Sequence, residues 1–239
     1  MRYFKLFLLL VVVLVVVSCF KDSKEGETTG IVLGTFVNNS EGIYVISDTL
    51  KGTNGAEIRY YFENEDTLKN VKDGSRMFFA FKLIKERETL QYLVECLYYS
   101  LIPIRKIVYV EEDDNEIRDT LAGNSMDFTH LSISHDFLNI GTRIAYDNAN
   151  EHFIYITRDA LDQNGEKDNE VILNLYHRDI ENKFPDYYKD SIYYISVPVK
   201  ELQDFFPKCD TINIIVQTII DKLENRTKKV VYETHRGSK

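Results

Sequence analysis

The stretch DGSRMFFAFKL, residues 73–83, decides the fold class. Met77, Phe79, Phe81 and Leu83 alternate with Phe78, Ala80 and Lys82, a period of two that sends one row into a core and the other outward. Asp73-Gly74 in front is a turn signal. The same rhythm runs upstream. Residues 31–37 and 43–47 flank Asn38-Asn39-Ser40-Glu41-Gly42, a hairpin-type loop, and Ile58, Tyr60 and Phe62 alternate with Glu57, Arg59 and Tyr61. Downstream, residues 90–99 and 102–110 complete six strands, with almost no helical period anywhere.

Beyond them, Glu111-Glu112-Asp113-Asp114-Asn115-Glu116 contains no apolar residue, and Ala122-Gly123-Asn124-Ser125 follows shortly after. Residues 111–125 therefore read as an acidic linker between a first domain at 30–110 and a second at 126–235, with a tail at 236–239. Strands resume at 138–146, 152–157, 171–178, 192–199, 212–220 and 229–234. Val171, Leu173 and Leu175 share a face, as do Ile212, Ile214, Val216 and Thr218. Asp162-Gln163-Asn164-Gly165 joins two of these strands as a hairpin. Residues 199–206 suit only a helical turn, stopped by Pro207. The expected fold class is all-β: five or six strands that can close into a small barrel, then an antiparallel β-sandwich.

The N-terminus reads differently. Arg2 and Lys5 precede an unbroken apolar run, residues 6–17, and then Ser18-Cys19. Twelve apolar residues are too few to span a bilayer, which needs about 20, but they suit the hydrophobic part of a signal peptide. Val16-Val17-Ser18-Cys19 fits the bacterial lipobox. Residues 1–18 are thus expected to be a removable leader and Cys19 the lipidation site, with two or three acyl chains as a firm membrane anchor. Residues 19–29 are polar and form a flexible tether.

Loss of residues 1–18 removes Arg2 and Lys5 and no acidic residue, so the net charge moves from −9 to −11. Such a chain repels phosphate backbones, which argues against nucleic acid as a partner. Basic attachment to anionic head groups is disfavoured too, leaving the acyl group on Cys19 as the membrane contact. Only four prolines and no low-complexity stretch argue against disorder in the body. Cys96 and Cys209 are the thiols left after cleavage. Cys96 alternates with Leu90, Tyr92 and Val94, so a buried thiol and an unpaired Cys209 are expected rather than a disulfide.

Catalytic and metal motifs are weak. His130 and His135 lie five apart and would point to opposite faces of a strand. His152 opens one strand and His177 ends the next, so a hairpin could bring them near each other. Two histidines without a third ligand favour hydrogen-bonded strand-end rings over a metal site. In the 162–170 loop, counting from Asp162, Gly165 falls at four and Glu170 at nine, which fails the calcium-loop spacing. Gly123-Asn124-Ser125-Met126-Asp127 holds only the first glycine of a serine elbow. No metal, no cofactor and no catalytic residue are expected.

Paired tyrosines are more informative: Tyr60-Tyr61, Tyr98-Tyr99, Tyr187-Tyr188 and Tyr193-Tyr194. Neighbours within a strand face opposite sides, so one of each strand pair should be exposed or only partly covered. Tyr61, Tyr99 and Tyr194 are the expected surface members, suited to recognition because tyrosine offers area at low entropic cost. Burial of both sides is the alternative and stands equal to it.

Over the whole chain after Cys19, the pattern resembles the NigD-like family of Bacteroidetes lipoproteins. The resemblance rests on the lipobox, Gly34-Thr35-Phe36, Gly42-Ile43-Tyr44-Val45 and the strand opening at Asp73-Gly74-Ser75-Arg76-Met77. It continues through Asp136-Phe137-Leu138-Asn139-Ile140, His152-Phe153-Ile154-Tyr155 and Leu175-Tyr176-His177. Ser132 to His135 depart from it where relatives carry an aromatic residue. It implies an N-terminal OB-like barrel before a C-terminal β-sandwich, and no catalytic residues. Lys, Asp and Glu just after Cys19 partly match the export tags of surface lipoproteins from these bacteria. Asp48-Thr49-Leu50, Asp66-Thr67-Leu68, Asp119-Thr120-Leu121, Asp190-Ser191-Ile192 and Asp210-Thr211-Ile212 fit their O-glycosylation pattern, or ordinary turn-to-strand entries.

The expected function is a non-enzymatic interaction module anchored in the cell envelope at the outer membrane, with the periplasmic and surface faces both open. Its partner is an unknown protein or envelope component. An enzyme or enzyme accessory acting on envelope glycans, and a structural or bacteriocin-associated factor, are the alternatives.

Overall fold

The computed structural model describes residues 28–51, 56–121, 126–146, 151–163, 169–180, 189–221 and 224–234. Cys19, residues 20–27 of the tether, Tyr187-Tyr188 and Gly123 to Ser125 lie outside the described residues, and Thr29, expected in the tether, opens the first strand. The chain divides into two compact units at Ser100 and Leu101.

The first unit holds β1 (Thr29–Asn39), β2 (Gly42–Lys51), β3 (Glu57–Phe62), β4 (Arg76–Glu88) and β5 (Gln91–Ile102), closed in the order β1-β2-β3-β5-β4. Closure depends on the length of β1. Its residues 34–39 pair with β2, its residues 29–35 pair with β4, and Gly34 and Thr35 pair on both sides. The hairpin after β1 needs only Ser40 and Glu41, with Gly42 at φ +118° completing the reversal. Inward rows from all five strands fill the barrel: Val32 and Phe36, Val45, Tyr60, Met77, Phe79 and Phe81, Val94. Tyr60 lies 5.6 Å from Phe79 edge-on, and Phe62 lies 5.3 Å from Phe79 in the same manner. A 3-10 turn, Glu65–Leu68, adds Leu68 to this core, and Val71 joins it from the segment that follows. Asn64 takes over where β3 stops: its side chain accepts from the Cys96 N–H and donates to the Cys96 carbonyl, each at 2.9 Å.

The second unit holds β6 (Ile107–Val110), α1 (Asn115–Leu121), β7 (Met126–Ser134), β8 (Phe137–Tyr146), β9 (Glu151–Asp159), β10 (Glu170–Ile180), β11 (Lys189–Pro198), β12 (Thr211–Asp221) and β13 (Glu224–Glu233). A five-stranded sheet, β13-β12-β10-β9-β6, and a three-stranded sheet, β11-β8-β7, share one core. Leu138, Ile140, Ile144 and Val197 come from the smaller sheet; Ile156, Leu173, Ile214 and Val216 come from the larger one. All are buried. The sandwich is thus as expected, but its larger sheet is mixed and not wholly antiparallel: β6 pairs parallel with β9 and β10 with β12. On the smaller sheet, Ser196 donates to Asn139 and Asn139 donates to Ser134, both at 2.8 Å, tying its three strands together through buried side chains.

Three expectations change. Residues 102–110 are not a sixth barrel strand. Pro103 cannot donate to a ladder, and the closed barrel leaves no edge to extend; the strand that forms, β6, joins β9 instead. The acidic stretch 111–125 is not a bare linker. Ile117 and Leu121, four residues apart, support a short helix whose Leu121 is buried. Met126–Ser134 is a further strand, whose alternation is interrupted by a register shift between Phe128 and His130. The helical turn stopped by Pro207 is present as a 3-10 segment, Lys200–Asp204.

Arg118 fastens α1 to the larger sheet. It donates to both Asp159 carboxylate oxygens at 2.7 Å and to the Glu112 carbonyl at 3.0 Å. The Arg118 hydrogen bond holds the Asp159 carboxyl below its ordinary pKa. A depressed carboxylate adds stability that is complete above its unfolded pKa of about 4 and is lost as pH falls through the folded value. Arg118→Met should therefore raise the midpoint of acid unfolding, because Asp159 loses its cation and the burial that disfavours charge is then opposed only by the Leu161 N–H hydrogen bond. An acid titration followed by circular dichroism measures this, and superimposable curves would contradict it.

Candidate interaction surface

Strand alternation carries Tyr60 into the barrel and Tyr61 onto its wall. Tyr61 pairs with Tyr44 of β2, and their rings lie 5.1 Å apart. Arg87, near the end of β4, places its guanidinium 4.5 Å from the Tyr61 ring centre, and Arg59 does the same to Tyr44 at 5.1 Å. A hydrogen bond with Tyr61 raises the Arg59 pKa above its ordinary value. Glu41 and Glu57 reach Arg59 at 3.0 and 3.5 Å. Among the described residues no acidic partner accompanies Arg87. The result is a half-exposed tyrosine held between a second tyrosine and a cation, on an otherwise acidic chain.

Tyr194 also faces outward, on the smaller sheet of the second unit, while Tyr193 packs toward the core. Its position depends on Gly141, directly opposite it in β8. A Cβ at Gly141 would lie 2.9 Å from a Tyr194 ring carbon and 2.6 Å from the Thr129 hydroxyl, so the ring lies over the glycine. Tyr99 departs from expectation. It packs against the barrel core, and its neighbour Tyr98 is the exposed member.

His152 and His177 do meet. The Ile154–His177 register puts His152 on the diagonal, with both on the face that carries Ile154 and Ile156. His152 Nδ1 lies 2.9 Å from His177 Nε2, and the rings stack at 5.1 Å. One ring must donate and the other accept, so this contact needs a neutral nitrogen on one of them. Among the described residues no cluster of three His, Cys, Asp or Glu is arranged to hold a metal. No disulfide joins Cys96 and Cys209; burial pushes the Cys96 thiol pKa up, making it a poor nucleophile.

Another aromatic–cation group escaped the sequence. Tyr109 on β6 stacks on Phe205 at 5.3 Å, and Arg158 on β9 covers the other partner, 4.8 Å from the Phe205 ring. Phe205 is exposed beside it. Only the parallel pairing of β6 with β9, which sets Tyr109 opposite Arg158, brings these residues together. No sequence spacing announces that.

Comparison with known proteins gives concordant results. No curated protein matches the chain. Among solved structures, a protein of unknown function from Bacteroides vulgatus superposes with a TM-score of 0.64 at 16% identity, covering 87% of this chain and 93% of that one. A NigD-like immunity protein from Bacteroides caccae gives 0.57 at 15% identity, over 88% and 99%. A protein from Bacteroides fragilis, proposed to be a lipoprotein, gives 0.58 at 8% identity, over 87% and 100%. At these identities the likeness is one of fold. The model of the NigD-like C-terminal beta sandwich domain matches residues 107–230, from the first strand of the second unit into its last. That match takes in more than half of the sequence, and with it the chain belongs to the NigD-like family.

Proposed function

We propose that this protein is a lipoprotein of the cell envelope, held at the outer membrane through Cys19, that binds a protein or envelope component without catalysing a reaction. The carrying observation is the Tyr61 cluster: a half-exposed ring fixed by Tyr44 and Arg87, which is pre-ordered and cationic on an acidic chain. Pre-ordered aromatic and arginine side chains lose little entropy on binding. The lipobox at Cys19 and the Bacteroides fragilis structure proposed to be a lipoprotein support the envelope location. The immunity protein from Bacteroides caccae supports partner binding as the kind of work this fold does.

A pull-down from envelope extract tests the reading. The soluble chain from residue 20 onward should enrich a partner over an unrelated lipoprotein, and Tyr61→Ala with Arg87→Ala should lose most of it. Equal recovery by all three would remove the interaction reading. Mass spectrometry of native material tests the anchor separately: a diacylglycerol on Cys19 and no leader is expected.

A further inference from the structure

The barrel carries aliphatic side chains that its fold does not use. Ile31 on β1 is 69% exposed, Leu97 on β5 is 54% exposed and Ile84 on β4 is 38% exposed. The three strands are consecutive neighbours in the barrel, in the order β5-β4-β1. Val32, Phe79, Phe81, Val94 and Cys96 point into the core, so Ile31, Ile84 and Leu97 all stand on the outer wall. Lys82 stands opposite Thr29 at the entry to β1. Aliphatic residues with a lysine beside them are the composition of a surface that meets a lipid–water interface.

We infer that this β1-β4-β5 face lies against the lipid bilayer to which Cys19 tethers the chain. The inference rests on the anchor reading and adds an orientation to it. Its occupant is chosen by chain length. Nine residues separate Cys19 from Thr29, and a chain of that length spans about 30 Å at full extension. The first folded residues are therefore leashed to the membrane, and Ile31, the most exposed large apolar residue among those described on the barrel, is one of them. Tethering makes insertion effectively intramolecular, so a patch too small to hold a free protein on a vesicle still orients an anchored one. Because the chain is acidic, burial of apolar surface and not charge drives this contact. Strands β2 and β3, which bear Tyr44 and Tyr61, do not pair with β4 and are left for a partner.

The chain contains no tryptophan, so a single introduced one is a clean probe. Ile31→Trp, Leu97→Trp and Ser40→Trp would each be made in the full lipidated protein and reconstituted into phosphatidylcholine vesicles with brominated acyl chains. Ser40, exposed at the hairpin after β1, lies at the opposite end of that strand from Ile31. Positions 31 and 97 should be quenched several-fold more than position 40, with blue-shifted emission that appears only with vesicles. Equal quenching at all three, with Cys19 shown acylated, would overturn the orientation and leave the anchor standing. An unmodified Cys19 in native material would remove both. Blue-shifted emission at 31 and 97 before vesicles are added would mean that a second copy covers the face, and would also overturn the inference.

Discussion

Gly34→Ala should destabilise the barrel by about 3 kcal/mol or more, the upper end of what overpacking costs in a well-filled core. A Cβ at this position would lie 2.3 Å from the Ile46 carbonyl oxygen and 2.5 Å from a Val45 methyl. The first contact is with backbone, so no rotamer change relieves it; β1 and β2 would have to separate where β1 also pairs with β4. Against a total stability of about 5–15 kcal/mol this is a large fraction. Gly30→Ala is the control. Its Cβ would meet only the Phe81 ring, at 2.8 Å, and a ring at the barrel end can shift. Urea denaturation of both variants, followed by near-ultraviolet circular dichroism, should rank Gly34→Ala well below Gly30→Ala. Equal losses would show that the approach of β1 to β2 is looser than the geometry here.

Arg76→Met should cost about 3–5 kcal/mol, the usual consequence of leaving one partner of a buried ion pair alone. Arg76 and Asp48 have 0% and 2% of their side chains exposed. The guanidinium binds both Asp48 oxygens, one at 2.8 Å, and donates to the Thr35 hydroxyl at 2.6 Å. Removing the arginine takes the cation from a carboxylate that is almost fully buried, and burial then favours its protonated form. The sign with pH follows. A carboxyl whose folded pKa is raised is penalised above its unfolded value, so the deficit of Arg76→Met should shrink as pH falls toward 4. Adding Asp48→Asn should recover much of the loss at neutral pH. A double variant as unstable as the single one would mean that Arg76 acts through packing and not through its charge.

The two tests examine parts of the protein that the sequence exposed to very different degrees. Alternation over 77–83 and its neighbours was enough for an all-β chain, for the interior row Met77, Phe79 and Phe81, and for the division of Tyr60 from Tyr61. Period-two burial is local, and a strand with one wet face must display it. Alternation does not decide between Tyr98 and Tyr99: Tyr99 packs against the barrel core and Tyr98 is the exposed residue of the pair. Strand β7 carries no such signal, because a register shift between Phe128 and His130 breaks its alternation.

What the sequence determined alone was therefore the class of fold and most strand faces; it allowed the meeting of His152 with His177 without requiring it. Which strands become neighbours was decided in three dimensions. Closure of the barrel through β1 and β4 displaced residues 107–110 into the second unit, and parallel pairing of β6 with β9 set Tyr109 opposite Arg158. The same holds for the ion pair of Arg76 with Asp48, and for Arg118 with Asp159, whose members stand 28 and 41 residues apart. Charges so distant along a chain find each other only after hydrophobic burial has fixed the strand order, and no local pattern records that choice.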